Sequence, residues 1–282
     1  MIPIICTVRG CGTPLRPEGR SFACAAGHAF DRARSGYVNL LQPQDRRSRT
    51  PGDPPAAADA RRRLLDVGTG EALLEALAET IAGLGLPPGA TAADIGAGEG
   101  YFLGSLARRF GLDAAGIELS TRAADLAARR YPEVLWLVAN ADRGLPIADA
   151  SLSLILSISA GRNPMECARV LVPGGYLVVA VPAPDDLAEL REAALGAATR
   201  EDRSAKVLAG HAPLLEFVTR REARERRRFS TAQLEDLLLT TYRGGRTGRL
   251  DRVATLDALE VTLSHEILVL RREEEGSPDS AA

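Results

Sequence analysis

The sequence lacks the features that mark membrane proteins and secreted, disulfide-stapled proteins. Its 282 residues include four cysteines, and aromatic residues make up 4% of the chain. No apolar run approaches the roughly 20 residues of a membrane-spanning helix, so no membrane partner is expected. Arg9 and Gly10 interrupt the short apolar start, which excludes the apolar core of a secretory signal peptide. These absences predict a cytoplasmic protein. In the reducing cytoplasm, clustered cysteines indicate metal ligands in preference to disulfides.

Lysine is nearly absent, and the positive charge is carried by arginine and spread unevenly. Lys206 is the single lysine. Residues 1–63 contain eleven arginines and five acidic residues, a net charge of +6, so the remainder of this −2 chain carries −8. Biased codon usage explains arginine in place of lysine, but not an excess of arginine over acids in one segment. The basic end predicts an anionic partner.

Short apolar runs alternate with amphipathic stretches from residue 90 onward, and 45% of the chain is hydrophobic. This alternation is typical of a parallel sheet covered by helices on both faces, so the predicted fold class is α/β, with a Rossmann-like sheet. The expected strands are 92–95, 114–118, 134–139, 152–158, 176–181, 214–219 and 261–270. The expected helices are 101–110, 121–131, 164–171, 186–195 and 231–240.

Composition divides the chain into a small head and a larger domain. Three of the four cysteines lie within residues 1–42, and a stretch rich in proline and arginine follows. We expect a head over 1–42 and one domain over 43–282. The larger domain is expected to hold a linker and helices over 43–88, with a break near Gly68 and Gly70, and a Rossmann-like core over 89–282.

Two glycine-rich stretches resemble nucleotide-binding turns, and their surroundings decide between them. The stretch Gly68–Gly70 follows three successive arginines, which do not form a buried strand, and prolines stand where an acidic ribose ligand is expected. The stretch Gly96–Gly100 follows a small apolar strand and precedes a helix. Glu118 then ends the next strand at a spacing that suits hydrogen bonds to both ribose hydroxyls. The second stretch is therefore the predicted nucleotide site.

The second turn favours S-adenosylmethionine over a dinucleotide. Gly96 and Gly98 let the backbone pass close to a ligand without a Cβ in the way. Glu99 would repel a pyrophosphate but attract the ammonium and sulfonium groups of S-adenosylmethionine. The third strand ends at residues 140–142, where a polar side chain would reach the adenine amino group. The predicted cofactor-binding residues of this region are Asp94, Gly96, Gly98, Glu99, Gly100, Glu118, Asn140, Ala141 and Asp142.

The head carries the ligand set of a structural zinc site. Cys6 and Cys11 form one close pair, and Cys24 and His28 form a second pair twelve residues later. Three thiolates and one imidazole in two close pairs are typical of tetrahedral Zn²⁺. The fourth cysteine, Cys167, lies in a predicted helix and is expected to pack in the core.

With both halves in place, the whole chain resembles the 23S rRNA guanine-N1-methyltransferases of the RlmA family, including tylosin-resistance relatives. The resemblance is most specific in the motifs at 24–31, 35–41, 47–53 and 60–66, which a generic methyltransferase lacks. It implies a zinc head that contacts a 23S rRNA hairpin and a cofactor-binding Rossmann-like domain. It further implies methylation of guanine N1 in a stem-loop.

The chain departs from that family at several positions. Four residues instead of two separate its first two zinc cysteines, and the turn at 157–161 differs from the family's Tyr-Ala-Pro-like turn. Gly70 and Asp186 stand where relatives carry larger or basic groups near the cofactor, which implies that both positions lie at the cofactor site. The target nucleotide and its ring atom stay open at this point.

The loop after the fourth strand is the predicted site of the target base, because ligands lie beyond the carboxyl ends of parallel strands. Its candidate side chains are Ser157, Ser159 and Asn163, and none of them is an obvious general base. For the two serines, plain strand-end polar residues are an equal alternative.

Arginines beside the head predict a phosphate-binding surface. The predicted RNA-binding residues are Arg46, Arg47, Arg49, Arg61 and Arg62. A second arginine run at 220–228 contains two glutamates and is interpreted as a solvated face.

Two other functions compete with rRNA methylation. One is a small-molecule methyltransferase whose zinc site is purely structural, and the other is a non-catalytic, zinc-dependent RNA-binding protein. A homodimer is also left open.

Overall fold

The N-terminal head forms a three-stranded antiparallel sheet in the computed structural model, which describes residues 2–45, 51–196, 201–241 and 247–274. Its strands are β1 (Leu15–Glu18), β2 (Ser21–Cys24) and β3 (Ala29–Asp31). Leu15, Phe22 and Phe30 are buried beneath this sheet. They belong to the same apolar cluster as Ile95 and Ile117 of the larger domain. The head itself supplies few apolar side chains, which fits a segment that a metal ion helps to stabilise.

The larger domain alternates strands and helices, as the sequence predicts. In chain order its elements are β4 (Val38–Asn39), α1 (Pro55–Asp66), α2 (Glu71–Ala82), β5 (Thr91–Ile95), α3 (Tyr101–Phe110), β6 (Asp113–Glu118), α4 (Thr121–Arg130), β7 (Leu135–Val138), β8 (Leu152–Ile158), α5 (Pro164–Val170), β9 (Leu171–Pro182), α6 (Ala188–Leu195), α7 (Arg203–His211), β10 (Glu216–Ser230), α8 (Thr231–Thr240), α9 (Thr247–Val253) and β11 (Ala258–Arg271). The break expected near Gly68 and Gly70 separates α1 from α2.

The central sheet confirms the predicted α/β class. Within the described residues its strand order is β10-β11-β9-β8-β5-β6-β7-β4. Strands β4 to β9 pair in parallel, and β10 and β11 are antiparallel. Strand β5 pairs with β6 on one side and with β8 on the other, so a crevice opens at its carboxyl end, where such folds bind ligands. Among the described residues, no helix is long and apolar enough to cross a membrane.

The head is attached to the central sheet through several contacts. Strand β4 pairs in parallel with β7 and so extends the sheet edge. The Thr7 hydroxyl donates a 2.6 Å hydrogen bond to the Leu40 carbonyl, and Ile4 forms an isolated bridge with Ile147. The predicted boundary at residue 42 therefore follows a strand that already belongs to the larger sheet. We infer that the head is held in a fixed position beside that sheet.

The secondary-structure prediction missed helices α7 and α9 and was wrong about strand β10. The sequence predicts a short strand over 214–219, whereas the structure has a 15-residue strand over Glu216–Ser230 that includes the arginine run. Among the strands that the structure describes, this one lies at the sheet edge and pairs only with β11, and most of its side chains are exposed. It needs few apolar residues for that reason, so the usual apolar signal of a strand is absent.

Candidate functional site

The four predicted zinc ligands meet in the head. The ligand atoms of Cys6, Cys11, Cys24 and His28 all lie within 4.8 Å of one another. His28 Nδ1 is 3.5 Å from Cys6 Sγ and 3.4 Å from Cys24 Sγ, and the sulfurs of Cys11 and Cys24 are 3.9 Å apart. Ligand atoms around a tetrahedral Zn²⁺ lie about 3.5–3.8 Å apart, given Zn–S and Zn–N distances of about 2.3 and 2.0 Å. The donor set and its spacing both fit zinc.

The backbone around the cluster forms the turns that bring these ligands together. The Gly27 N–H donates to the Cys24 carbonyl at 2.9 Å, and the Cys24 N–H donates to the His28 carbonyl at 3.0 Å. Gly27 has a φ of +82°, which a side chain would disfavour. The turn therefore returns His28 to the sulfur of Cys24.

The turn at Gly96–Gly100 lies at the carboxyl end of β5 and holds the carboxylate of Glu118. The Gly98 N–H donates to Glu118 Oε2 at 2.9 Å, and the Ser120 N–H donates to Oε1 at 2.7 Å. A Cβ at Gly96 would lie 2.4 Å from the Ala160 Cβ, so glycine is required there. A Cβ at Gly100 would lie 2.5 Å from the Trp136 ring, so this glycine serves the packing beneath the turn.

Three carboxyl groups, which we call the acidic cluster, line the cavity above this turn: Asp94, Glu99 and Glu118. Asp94 and Glu99 are buried, and each has one carboxyl oxygen without a hydrogen-bond partner among the described residues. Burial raises the pKa of all three carboxyl groups, and neighbouring carboxylates add to the effect. Orphaned, buried carboxyl oxygens fit a cationic ligand with hydroxyl groups, as S-adenosylmethionine is.

One cavity of about 560 Å³ joins the acidic cluster to the loop after β8. That volume lies within the usual range of small-molecule sites, about 300–1,000 Å³. Of the sequence-predicted residues, it is lined by Gly70, Asp94, Gly96, Gly98, Glu99, Glu118, Ser159, Asp186 and also Arg61. The cavity, which we call the cofactor cavity, thus brings the predicted cofactor residues of β5 and β6 beside the predicted target-base loop.

Other predicted residues lie outside the lining of this cavity. Asn140 is buried, and its Oδ1 accepts the Asp142 N–H at 3.1 Å. Asn163 caps α5 by accepting the Met165 N–H at 3.0 Å, and Ser157 is fully buried. The predicted residues outside the lining are Gly100, Asn140, Ala141, Asp142, Ser157, Asn163 and Arg62.

Asp186 also lines the cofactor cavity. Its Oδ1 accepts the Ser264 N–H at 3.0 Å, and its Oδ2 is 3.7 Å from an Arg191 nitrogen. Burial raises the pKa of Asp186 to about 6, against the opposing effects of these two partners.

Sequence reasoning assigned no role to His265, which also lines the cavity. Its Nε2 is 3.4 Å from the Ser159 hydroxyl, and burial lowers the pKa of its imidazole to about 4. His265 reaches the site because β11 runs antiparallel to β9 and pairs His265 with Pro182. No local spacing in the sequence signals such a long-range contact.

The predicted RNA-binding arginines differ in their surroundings. Arg46, Arg47 and Arg49 lie outside the described residues. Arg62 lies on α1, where its Nε is 3.6 Å from Asp66. Arg61 points instead into the cofactor cavity, where it pairs with Asp53 at 2.8 Å.

The fold and the cavity together define a class I, S-adenosylmethionine-dependent methyltransferase. A methyltransferase-domain profile matches residues 93–179, and a second profile, the RlmA N-terminal zinc ribbon, matches residues 6–49. In three dimensions the chain is similar to a Bacillus halodurans protein assigned to the methyltransferases (TM-score 0.51, 12% identity, 70% of this chain and 98% of that one). It is equally similar to the [4+2]-cyclase SpnF (TM-score 0.50, 19% identity, 70% and 81%), so the fold alone does not fix the reaction.

Relatives with similar sequences identify the family within this class of methyltransferases. A 23S rRNA (guanine(748)-N(1))-methyltransferase from Streptomyces fradiae is 40% identical over 210 residues, which cover 71% of this chain and 72% of the relative. A Micromonospora griseorubida protein assigned a 23S rRNA (guanine-N(1)-) activity is 34% identical over 64% of this chain and 66% of its own length. This chain belongs to the 23S rRNA (guanine-N1)-methyltransferase family.

Proposed function

We propose that this enzyme transfers a methyl group from S-adenosylmethionine to N1 of a guanine in a stem-loop of 23S rRNA. The observation that carries the proposal is the combination of a Cys₃His head with an acidic cofactor cavity in one chain, matched over 71% of its length to an enzyme named for that reaction. A small-molecule methyltransferase would need the cavity but not a basic head.

The residues around β5 and β6 hold the donor in this proposal. Bound S-adenosylmethionine supplies an electrophilic methyl group on a sulfonium. Glu118 is fixed by two backbone N–H groups, and each of its oxygens keeps a lone pair for a ribose hydroxyl. Asp94 and Glu99 place negative charge near the cationic groups, and the bare backbone at Gly96 allows close approach. Their common effect is to position the methyl group for in-line attack.

The part of the cavity that the loop after β8 lines receives the guanine in this proposal. Ser159 and His265 lie there as a hydrogen-bonding pair, and the low pKa of His265 keeps its imidazole neutral near pH 7. Neutral imidazole and hydroxyl groups offer both donors and acceptors to a base edge. RNA enzymes of this kind act on bases that are splayed out of a loop, which explains a stem-loop substrate.

Guanine N1 carries a proton that must leave, and we propose Asp186 as its acceptor. Its carboxylate lines the same cavity as Ser159 and His265, and its pKa of about 6 suits proton transfer near neutral pH. The rate should rise with pH through about 6, because only the ionised carboxylate accepts a proton. Asp186→Asn should lower kcat about 100-fold and remove this rise, with little change in S-adenosylmethionine affinity. An unchanged pH profile in this variant would exclude Asp186 as the acceptor.

Mapping of methylated nucleotides in 23S rRNA, with and without the enzyme, tests the proposed function. We expect one guanine in a hairpin to gain an N1-methyl group, and Glu118→Ala to abolish the gain. In calorimetry, Glu118→Ala should weaken S-adenosylmethionine binding at least about tenfold, because a charged hydrogen-bond acceptor is lost. Intact cofactor binding with methylation of a metabolite but not of rRNA would overturn the proposal.

A further inference from the structure

Arg61 is the cation that accompanies the acidic cluster. It lies on α1 and lines the cofactor cavity, and its side chain is 30% exposed. Four arginines line this cavity, and Arg61 is the one that lies over Gly98, where the charges of Glu99 and Glu118 act on it. The carboxylates of the acidic cluster and this guanidinium therefore lie together in one part of the cavity. S-Adenosylmethionine presents the complementary set at its amino-acid end: an ammonium and a sulfonium, both positive, and one α-carboxylate. The acidic cluster suits the two cations but would repel the carboxylate unless a cation lies beside it.

The geometry of Arg61 leaves part of its guanidinium free. Its Nη2 donates a 2.8 Å hydrogen bond to Asp53, while its Nη1 makes no hydrogen bond within the described part of the chain. Nη1 would be 3.6 Å from a Cβ at Gly98, so it lies over the turn that carries the cofactor-binding backbone. The N–H groups of Nη1 can therefore donate to a carboxylate of a ligand in the cavity.

The partner of Arg61 is itself fixed to the cofactor site. The Ser120 hydroxyl donates to the Asp53 carbonyl at 3.0 Å, and the Ser120 N–H holds Glu118. A Cβ at Gly52 would lie 2.6 Å from the Ser120 nitrogen, so this backbone approach depends on glycine. Asp53 therefore holds Arg61 over the turn with the same element that positions Glu118. This arrangement preorganises the guanidinium before any ligand enters.

We propose that Arg61 binds the α-carboxylate of S-adenosylmethionine and selects for that group. The proposal rests on the S-adenosylmethionine-dependent function above and assigns Arg61 to the cofactor instead of to RNA phosphate. Its Nη1 is directed over Gly98, into the cavity, whereas phosphate contacts need groups at the outer surface.

Calorimetry with two ligands, S-adenosylmethionine and its decarboxylated analogue, tests this role directly. The wild type should prefer S-adenosylmethionine at least about tenfold, because the analogue lacks the carboxylate that accepts a charge-assisted hydrogen bond. Arg61→Gln should lose that preference through weaker S-adenosylmethionine binding, with analogue affinity changed less than about twofold. Arg61→Lys should retain part of the preference, because it keeps the charge but not the planar fork.

Arg129→Gln is the matched control. Arg129 lies on α4 and pairs with Asp125 at 2.9 Å, similar to the Arg61–Asp53 pair, but it is exposed and does not line the cavity. This variant should keep the wild-type preference between the two ligands.

Three outcomes would overturn the assignment. If Arg61→Gln weakens both ligands equally, Arg61 supports the cavity without contacting the carboxylate. If the variant keeps the ligand preference but loses salt-dependent RNA binding, Arg61 contacts phosphate. If the wild type binds neither ligand, the proposed function itself fails. Thermal unfolding of each variant distinguishes all three outcomes from loss of the fold.

Discussion

Two arginine-rich regions of this molecule differ in whether their charges are already neutralised. Five exposed arginines in the head form no ion pair within the described residues: Arg9, Arg16, Arg20, Arg32 and Arg34. Strand β10 has a similar number, but four of its arginines pair with carboxylates: Arg220 with Glu266, Arg221 with Glu79, Arg224 with Asp185 and Arg226 with Glu260.

The comparison shows that arginine content alone does not define an anionic-ligand surface. A guanidinium that already faces a carboxylate must give up that partner before it gains a phosphate, whereas an unpaired one does not. The head therefore offers usable positive charge, and β10 offers little. We infer that RNA binds along the head and leaves β10 free.

Loss of the zinc site should have the largest effect on this comparison. Cys24→Ala removes one of the four predicted zinc ligands, and the head supplies few apolar side chains to compensate. We expect loss of bound zinc, disordering of the head, and RNA affinity lower by about 100-fold. Zinc content by atomic absorption and stem-loop binding by fluorescence anisotropy measure both effects.

Cys167→Ala is the control for that experiment. Cys167 is fully buried beside the central sheet and belongs to no ligand cluster among the described residues. It should lower thermal stability modestly and leave zinc content unchanged. Equal zinc loss in both variants would contradict the assigned ligand set.

Neutralising the head should have the second-largest effect. The double variant Arg16→Gln and Arg20→Gln removes two exposed charges that pair with no carboxylate in the described parts of the chain. We expect RNA affinity to fall about tenfold at low salt, with no change in S-adenosylmethionine affinity. If both affinities fell together, these residues would serve the fold of the enzyme and not RNA contact.

Releasing the arginines of β10 should have a smaller effect, in the opposite direction. Glu79→Gln with Glu260→Gln removes the carboxylate partners of Arg221 and Arg226. The freed guanidinium groups should raise non-specific RNA affinity about threefold, which duplex RNA titration would detect. Unchanged affinity would mean that distance from the RNA, and not neutralisation, keeps β10 out of the interface.

Direct neutralisation of β10 should have the smallest effect. Arg221→Gln with Arg226→Gln removes charges that the carboxylates of Glu79 and Glu260 already neutralise, so RNA affinity should change less than about twofold. A loss as large as that of the head variant would eliminate the distinction between the two regions.

The fold was predictable where burial leaves a periodic signal. Strands β5 to β9 are short apolar runs because helices cover both faces of the sheet, so their positions along the chain could be predicted from the sequence. Strand β10 carries no such signal, because it lies at an exposed edge and is stabilised by pairing with β11.

Some residues of the candidate site could likewise be predicted from the sequence, and others could not. The turn at Gly96–Gly100 and the carboxylate of Glu118 belong to one strand–helix–strand unit, so their spacing could be read along the chain. His265 and Arg61 could not be placed from spacing, because one depends on long-range strand pairing and the other on the direction of a side chain.

The salt dependence of RNA binding tests the difference between the two regions most directly. Three proteins are compared: the wild type, the head variant Arg16→Gln with Arg20→Gln, and the β10 variant Arg221→Gln with Arg226→Gln. Their affinities for one stem-loop RNA are measured over a series of salt concentrations. The slope of log affinity against log salt should become shallower by about 0.9 for each lost phosphate contact in the head variant and stay at the wild-type value in the β10 variant. A wild-type slope in the head variant, with a shallower one in the β10 variant, would contradict this account.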